Sequence, residues 1–154
     1  MLLPLLNLSV AFDTIDHSIL LSNLNTSFGL PGSVLSWFHF YLSNHTQTVS
    51  INDAESLPTV LQLGVPQGPV LGPVTFVLYI QPLSTIVNHH SLFHHSFSDD
   101  NQLYTSGHLG ELHERISSYQ ACIPYVQAWM HHNKLQLNLH KTEMILITLL
   151  IEWL

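Results

Sequence analysis

The chain has 154 residues, 46% of them hydrophobic, which is enough for one domain with a packed core and too few for two ordinary ones. A single unit over 1–150 with a short tail at 151–154 is therefore expected. Only Arg115, Lys134 and Lys141 are basic against ten acidic residues, a formal net charge of -7, which argues against a surface that grips nucleic-acid phosphates unaided.

Residues 2–8 read as a buried strand. No Lys or Arg precedes the apolar run and no small-residue cleavage site follows it, so a secretory leader is not expected. Asp16 has the chemistry of a helix N-cap, ahead of Ile19, Leu20, Leu24 and Phe28, and Gly29 ends that helix. Pro31 opens a second helix, with Val34, Leu35, Phe38, Tyr41 and Leu42 on one face and Trp37 beside it. Residues 47–52 alternate through Val49 and Ile51, which predicts a half-buried strand before an Asn52-Asp53 turn.

Residues 57–63 lead into the loop Gly64-Val65-Pro66-Gln67-Gly68. The stretch 70–87 is nearly all apolar and reads as one buried helix with Gly72 and Pro73 in its first turn. Residues 92–97 and 102–105 predict a hairpin with Asp99-Asp100 at its tip. Residues 111–131 form an amphipathic pattern through Leu112, Ile116, Tyr119, Ile123 and Trp129, with a kink expected at Pro124. Cys122, the lone cysteine, excludes an internal disulfide, suits a buried helix position and fits an intracellular, reducing setting. Residues 135–137 and 143–149 read as two closing strands. The final apolar run is broken by Glu152 and falls short of the ~20 residues that span a bilayer, so no membrane partner is expected. The sum is an α+β chain, a helix layer against a small antiparallel sheet.

Adjacent carboxylates repel, so Asp99-Asp100 in a chain this poor in charge calls for compensation, and a divalent cation supplies it. Taken alone, the pair also fits a polar hairpin turn. The doublets His89-His90, His94-His95 and His131-His132 raise zinc as an alternative, but neighbouring strand residues face opposite ways and no partner set has zinc-ligand spacing. The twelve histidines add positive charge only below about pH 6.5.

Three strings together resemble the palm of a reverse transcriptase, of the type carried by non-LTR, LINE-like retrotransposons. They are the run from Asn7-Leu8-Ser9 to Ala11-Phe12-Asp13, the loop from Gly64 to Gly68 with Leu71-Gly72-Pro73, and Ser98-Asp99-Asp100. The resemblance implies a polymerase palm with fingers and thumb largely missing. It also implies two-metal nucleotidyl transfer with Mg2+, or Mn2+, held by Asp99 and Asp100, and template-primer and deoxynucleotides as partners. Phe12 falls where the family has its sugar-selecting aromatic; read singly it is an ordinary core aromatic. Pro66, Gln67 and Gly68 fall in the loop that approaches nucleotide and template, although Pro69 replaces the usual serine. Asn138-Leu139-His140-Lys141 resembles the motif whose lysine protonates the leaving pyrophosphate, so Lys141 becomes a general-acid candidate; read singly it is a solvated lysine.

One departure matters most. Asn7 stands where the family has its first metal-binding aspartate, and an amide offers one neutral oxygen in place of a full charge. Asp13, six residues on, lies too far along the chain to replace it. A catalyst that is dead or very weak is expected, and the alternative is a non-catalytic fragment that associates through exposed apolar faces, or a relic without function.

Overall fold

The computed structural model describes residues 1–6, 8–9, 12–66, 71–97, 100–138 and 141–147. Among the site candidates, Asn7, Gln67, Gly68 and Asp99 lie outside the described residues, as do the tail 151–154 and the end of the last expected strand.

The core sheet is antiparallel throughout, in the order β10 (Glu143–Leu146), β1 (Leu2–Leu6), β8 (Asp100–Tyr104), β7 (Phe93–Phe97). Leu2 and Leu6 of β1 are buried, so the N-terminal apolar run is a core strand. Its ladder with β8 is interrupted: Leu2 bridges Thr105, Leu5 pairs with Gln102 and Leu6 with Asn101 in a single register, and the gap falls around Pro4. A proline has no N–H to give, which accounts for the opening.

The helix α1 (His17–Thr26) starts as expected, with the Asp16 carboxylate accepting from the backbone N–H groups of Ser18 at 2.9 Å and Ile19 at 3.1 Å. Beyond its end, Gly29 takes φ 62°, the left-handed conformation that glycine adopts at no steric cost, and Leu30 N–H donates back to the Leu24 carbonyl. Pro31 precedes α2 (Gly32–Leu42) as its cap, one position before the first helical residue, and Phe38 and Leu42 carry the buried face.

Other expectations need correction. The stretch 47–52 is not a half-buried strand: β3 (Thr46–Gln47), β4 (Ser50–Ile51), β5 (Ala54–Glu55) and β6 (Thr59–Val60) are two-residue pieces with every residue exposed. The Asn52-Asp53 turn does form, with φ of 48° and 67°. The apolar stretch 70–87 is not one helix either. Among the described residues it forms α3 (Leu71–Ile80) and α4 (Leu83–His89), bent by 42°. Pro82 breaks the run because it removes an amide donor and disfavours helical backbone at Gln81.

The last helix, α5 (Leu112–His132), continues through Pro124. Its buried stripe is Tyr119, Cys122, Val126 and Met130, one step around from the expected face, while Leu112, Ile116, Ile123 and Trp129 are only half-buried. Burial pushes the Cys122 thiol up to about 11, which leaves it an inert core group at neutral pH. The short β9 (Gln136–Leu137) pairs with β2 (Leu8–Ser9). The helices pack as a layer around Phe76, Tyr79, Ile80, Leu83 and Val87, each fully buried. No single described helix is long and apolar enough to cross a membrane; the bent α3–α4 pair has the composition, but it forms this core.

Candidate active site

The loop 12–16 and the loop 63–66 are stitched together by backbone. Gly64 N–H donates to the Ile15 carbonyl at 2.8 Å and Val65 N–H to the Phe12 carbonyl at 3.1 Å, while Asp16 and Leu63 form an isolated bridge. His17 closes the same junction, its Nε2 lying 2.7 Å from the Gly64 carbonyl. Gly64 has φ +85°, and a Cβ there would meet the Asp13 backbone at 3.2 Å, so the position requires glycine twice over. These contacts form the floor of an open cleft of about 780 Å³, lined by Asp13, His17, His45, Gln47, Gln62 and Pro66 among others.

The first turns of α3 organise the rest. A Cβ at Gly72 would lie 3.3 Å from the Pro66 carbonyl, so this glycine lets the loop approach the helix closely. The Phe12 ring packs on Phe76 with centroids 5.4 Å apart. Along another side of α3, Pro73, Val74, Val77 and Leu78 face Ser96, Phe97 and Asp100 across a groove of about 610 Å³. One helix thus gathers Phe12, Pro66 and the Asp100 end of the hairpin.

The sheet register brings the same end together from the other direction. Phe97 pairs with Asp100, so β7 and β8 form the expected hairpin, but Asp100 is the first residue of β8 and not part of the tip. Leu6 of β1 pairs with Asn101, next to Asp100, and Leu5 pairs on its far side with Glu143, the first residue of β10. Lys141 precedes that strand by two residues; it is exposed, and its N–H donates to the Asn138 carbonyl at 3.1 Å. Asp13, in contrast, lines the cleft beside Gly64 and not the groove beside Asp100.

Residues to which the sequence reading gave no such role hold this assembly. The Tyr79 hydroxyl donates to the Asn133 carbonyl at 2.6 Å and lies 3.4 Å from the Asp16 N–H, so one buried phenol links α3 to the end of α5 and the start of α1. Burial, with the nearby Asp16 carboxylate adding to it, pushes its ionisation up to about 12. Asn133 and Lys134 make the turn that ends α5, Lys134 with φ 58°. His94 on β7 lies 2.8 Å from the Ser84 hydroxyl through Nδ1 and 3.0 Å from Asn101 Oδ1 through Nε2. Burial holds its pKa below the usual imidazole value, opposed by the bond to Asn101 and assisted by the neighbouring His95. The Tyr79 hub joins elements distant in sequence, and the His94 hub joins a helix to the two strands that follow it, a contact no motif spacing signals.

Cations are scarce at this end. Arg115 bonds Glu111 at 3.0 Å and lines a cavity with Met1, Leu2 and Ile147, at the opposite end of the sheet from Asp100. Among the described residues, no group of three His, Cys, Asp or Glu side chains is placed to hold a metal ion. Asp100 is the described member of the carboxylate pair, and its oxygens are donors of the type that Mg2+ and Mn2+ prefer.

Comparison with known proteins points in one direction. The family described as reverse transcriptase (RNA-dependent DNA polymerase) matches residues 3–154. A probable RNA-directed DNA polymerase from transposon BS of Drosophila melanogaster is 27% identical over 143 residues, covering 89% of this chain and 15% of that protein. Among solved structures, apo telomerase from Candida tropicalis, truncated from its C-terminal domain, superposes with a TM-score of 0.69 at 14% identity. The match covers 94% of this chain and 30% of that one, and it shows a shared fold. The chain therefore spans a small part of the polymerases it matches.

Proposed function

Because the chain belongs to the reverse transcriptase family, we propose that it is a partial, retrotransposon-derived RNA-directed DNA polymerase domain whose two-metal nucleotidyl transfer is lost or nearly lost. The observation that carries this reading is the identity of residue 7: the sequence has asparagine where the family resemblance calls for a carboxylate. Asp99 and Asp100 would hold Mg2+ or Mn2+, which supplies charge neutralisation for phosphoryl transfer. Two carboxylates and one amide give that centre one negative charge fewer than it needs.

The remaining candidates keep their expected roles as part of the proposal. Phe12, packed on Phe76, would bear on the sugar; Pro66, Gln67 and Gly68 would approach nucleotide and template; Lys141 would donate a proton to the leaving group. The net charge of -7, with Arg115 engaged by Glu111, supports weak affinity for template-primer.

Primer extension on an RNA template with Mg2+ or Mn2+, comparing the unmodified chain with Asn7→Asp, tests the reading. A gain of at least about 10²-fold on restoring the carboxylate is expected. Efficient incorporation by the unmodified chain would overturn it. A second reading, self-association without catalysis, is favoured by exposed Phe97 and Phe40, 74% and 77% accessible. Concentration-dependent oligomers in size-exclusion chromatography, with both proteins inactive, would support that reading instead.

A further inference from the structure

We propose that His94 is a positioning residue for the acidic hairpin, clamping Asn101 of β8 to Ser84 of α4 and so fixing which face of the sheet carries Asp100. The inference rests on the reading of Asp100 as a metal-holding group, and it concerns a side chain that reading does not use.

Strand alternation makes the argument. His94 and Ser96 of β7 and Asn101 and Leu103 of β8 share the inward face, with His94 opposite Leu103 and Asn101 opposite Ser96. His94 therefore meets Asn101 as a diagonal cross-strand neighbour. The acceptor Oδ1 of Asn101, at 3.0 Å, assigns the imidazole proton to Nε2, which leaves Nδ1 to accept from the Ser84 hydroxyl at 2.8 Å. Both ring nitrogens are satisfied by partners on two different elements. Asn101 is buried to 1% accessibility, so a slip that turned it outward would strand the imidazole and expose Leu103.

A shift of one residue in this register would also turn Asp100 from the outer face to the core. Burial of Leu103 on the inward face favours this register, and the clamp adds a polar contact to it. Outward-facing Phe93, His95 and Phe97 are all exposed, and the stacked pair Phe93–Tyr104, centroids 5.3 Å apart, sits at the end away from Asp100. Near the tip, the clamp is an inward polar contact that this register makes and its neighbour would lose.

The test uses the full chain with His94→Phe, which keeps a ring and removes both bonds, and His94→Gln, which retains an N–H able to reach Asn101. Amide hydrogen exchange at Asn101 and Leu103 is compared with that at Leu24 and Val126 in the helical core. Mn2+ affinity is read by electron paramagnetic resonance. Exchange about tenfold faster in His94→Phe, confined to the hairpin, and Mn2+ affinity about fivefold weaker are expected, with both largely restored in His94→Gln. Should His94→Phe fail to fold, Ser84→Ala removes one bond alone, and hairpin exchange about threefold faster is expected.

Unchanged hairpin exchange in the folded variants would overturn the clamp. Faster exchange with unaltered Mn2+ affinity would reduce His94 to a structural residue and overturn the positioning role. If the unmodified chain took up no Mn2+ at all, the metal reading of the hairpin would fail, and the exchange rates alone would decide whether His94 holds the register.

Discussion

The apolar residues of segment 44–63 and those of the α3–sheet layer meet opposite fates. In the first, Ile51 is 66% exposed and Leu57 87%, and its strands pair only with one another, two residues at a time. In the second, Phe76, Tyr79, Ile80 and Leu83 are fully buried because a helix layer and a sheet meet there. Apolar alternation records which residues would be buried if a partner were present. It does not reveal whether this length of chain contains the partner.

The sharpest way to break that comparison is to remove volume from each region in turn. Phe76→Ala should cost about 3–5 kcal/mol in urea unfolding, since the Phe12 ring and the α3–sheet packing close on that side chain. A cost under about 1 kcal/mol would mean that α3 is not the centre of the core.

Acidification should come next in size. The His94 imidazole is held below its ordinary pKa by burial, so the unfolded chain binds this proton more readily than the folded one. Its contribution is fully present above the unfolded value of about 6.5 and is lost as pH falls towards the depressed folded value. The urea midpoint should therefore decline between pH 7.5 and pH 5, and the decline should be smaller in His94→Phe, which has no proton to take up. An identical decline in both proteins would assign the effect to other histidines. The smallest effect belongs to the exposed segment: Ile51→Ser should change stability by no more than about 0.5 kcal/mol. A larger loss would show that 44–63 is packed in solution.

The parts of the fold legible in the sequence are those whose cause is local. The Asp16 cap, the left-handed Gly29, the Asn52-Asp53 turn and the β7–β8 hairpin each follow from the chemistry of a few consecutive residues. The break at Pro82 is equally local in cause, but apolar residues on both sides of it continue the helical pattern. The buried stripe of α5 is harder to read: Cys122 and Val126 are more buried than Ile123 and Trp129, and periodicity alone does not report which partners pack on a helix. At the site, motif spacing led to Phe12, Pro66 and Asp100, while Tyr79, Asn133, Ser84, His94 and Asn101 act across separations of 7 to 63 residues and left no such mark.

The 42° elbow at Gln81-Pro82 has a consequence for reach. A straight continuation would carry the seven residues of the second limb roughly 10 Å farther along the first limb's axis, at 1.5 Å of rise apiece. Turned aside instead, that limb delivers the Ser84 hydroxyl to the inward face of the acidic ribbon. A proline that spoils a long apolar rod is thus what lets a short one serve as a buttress.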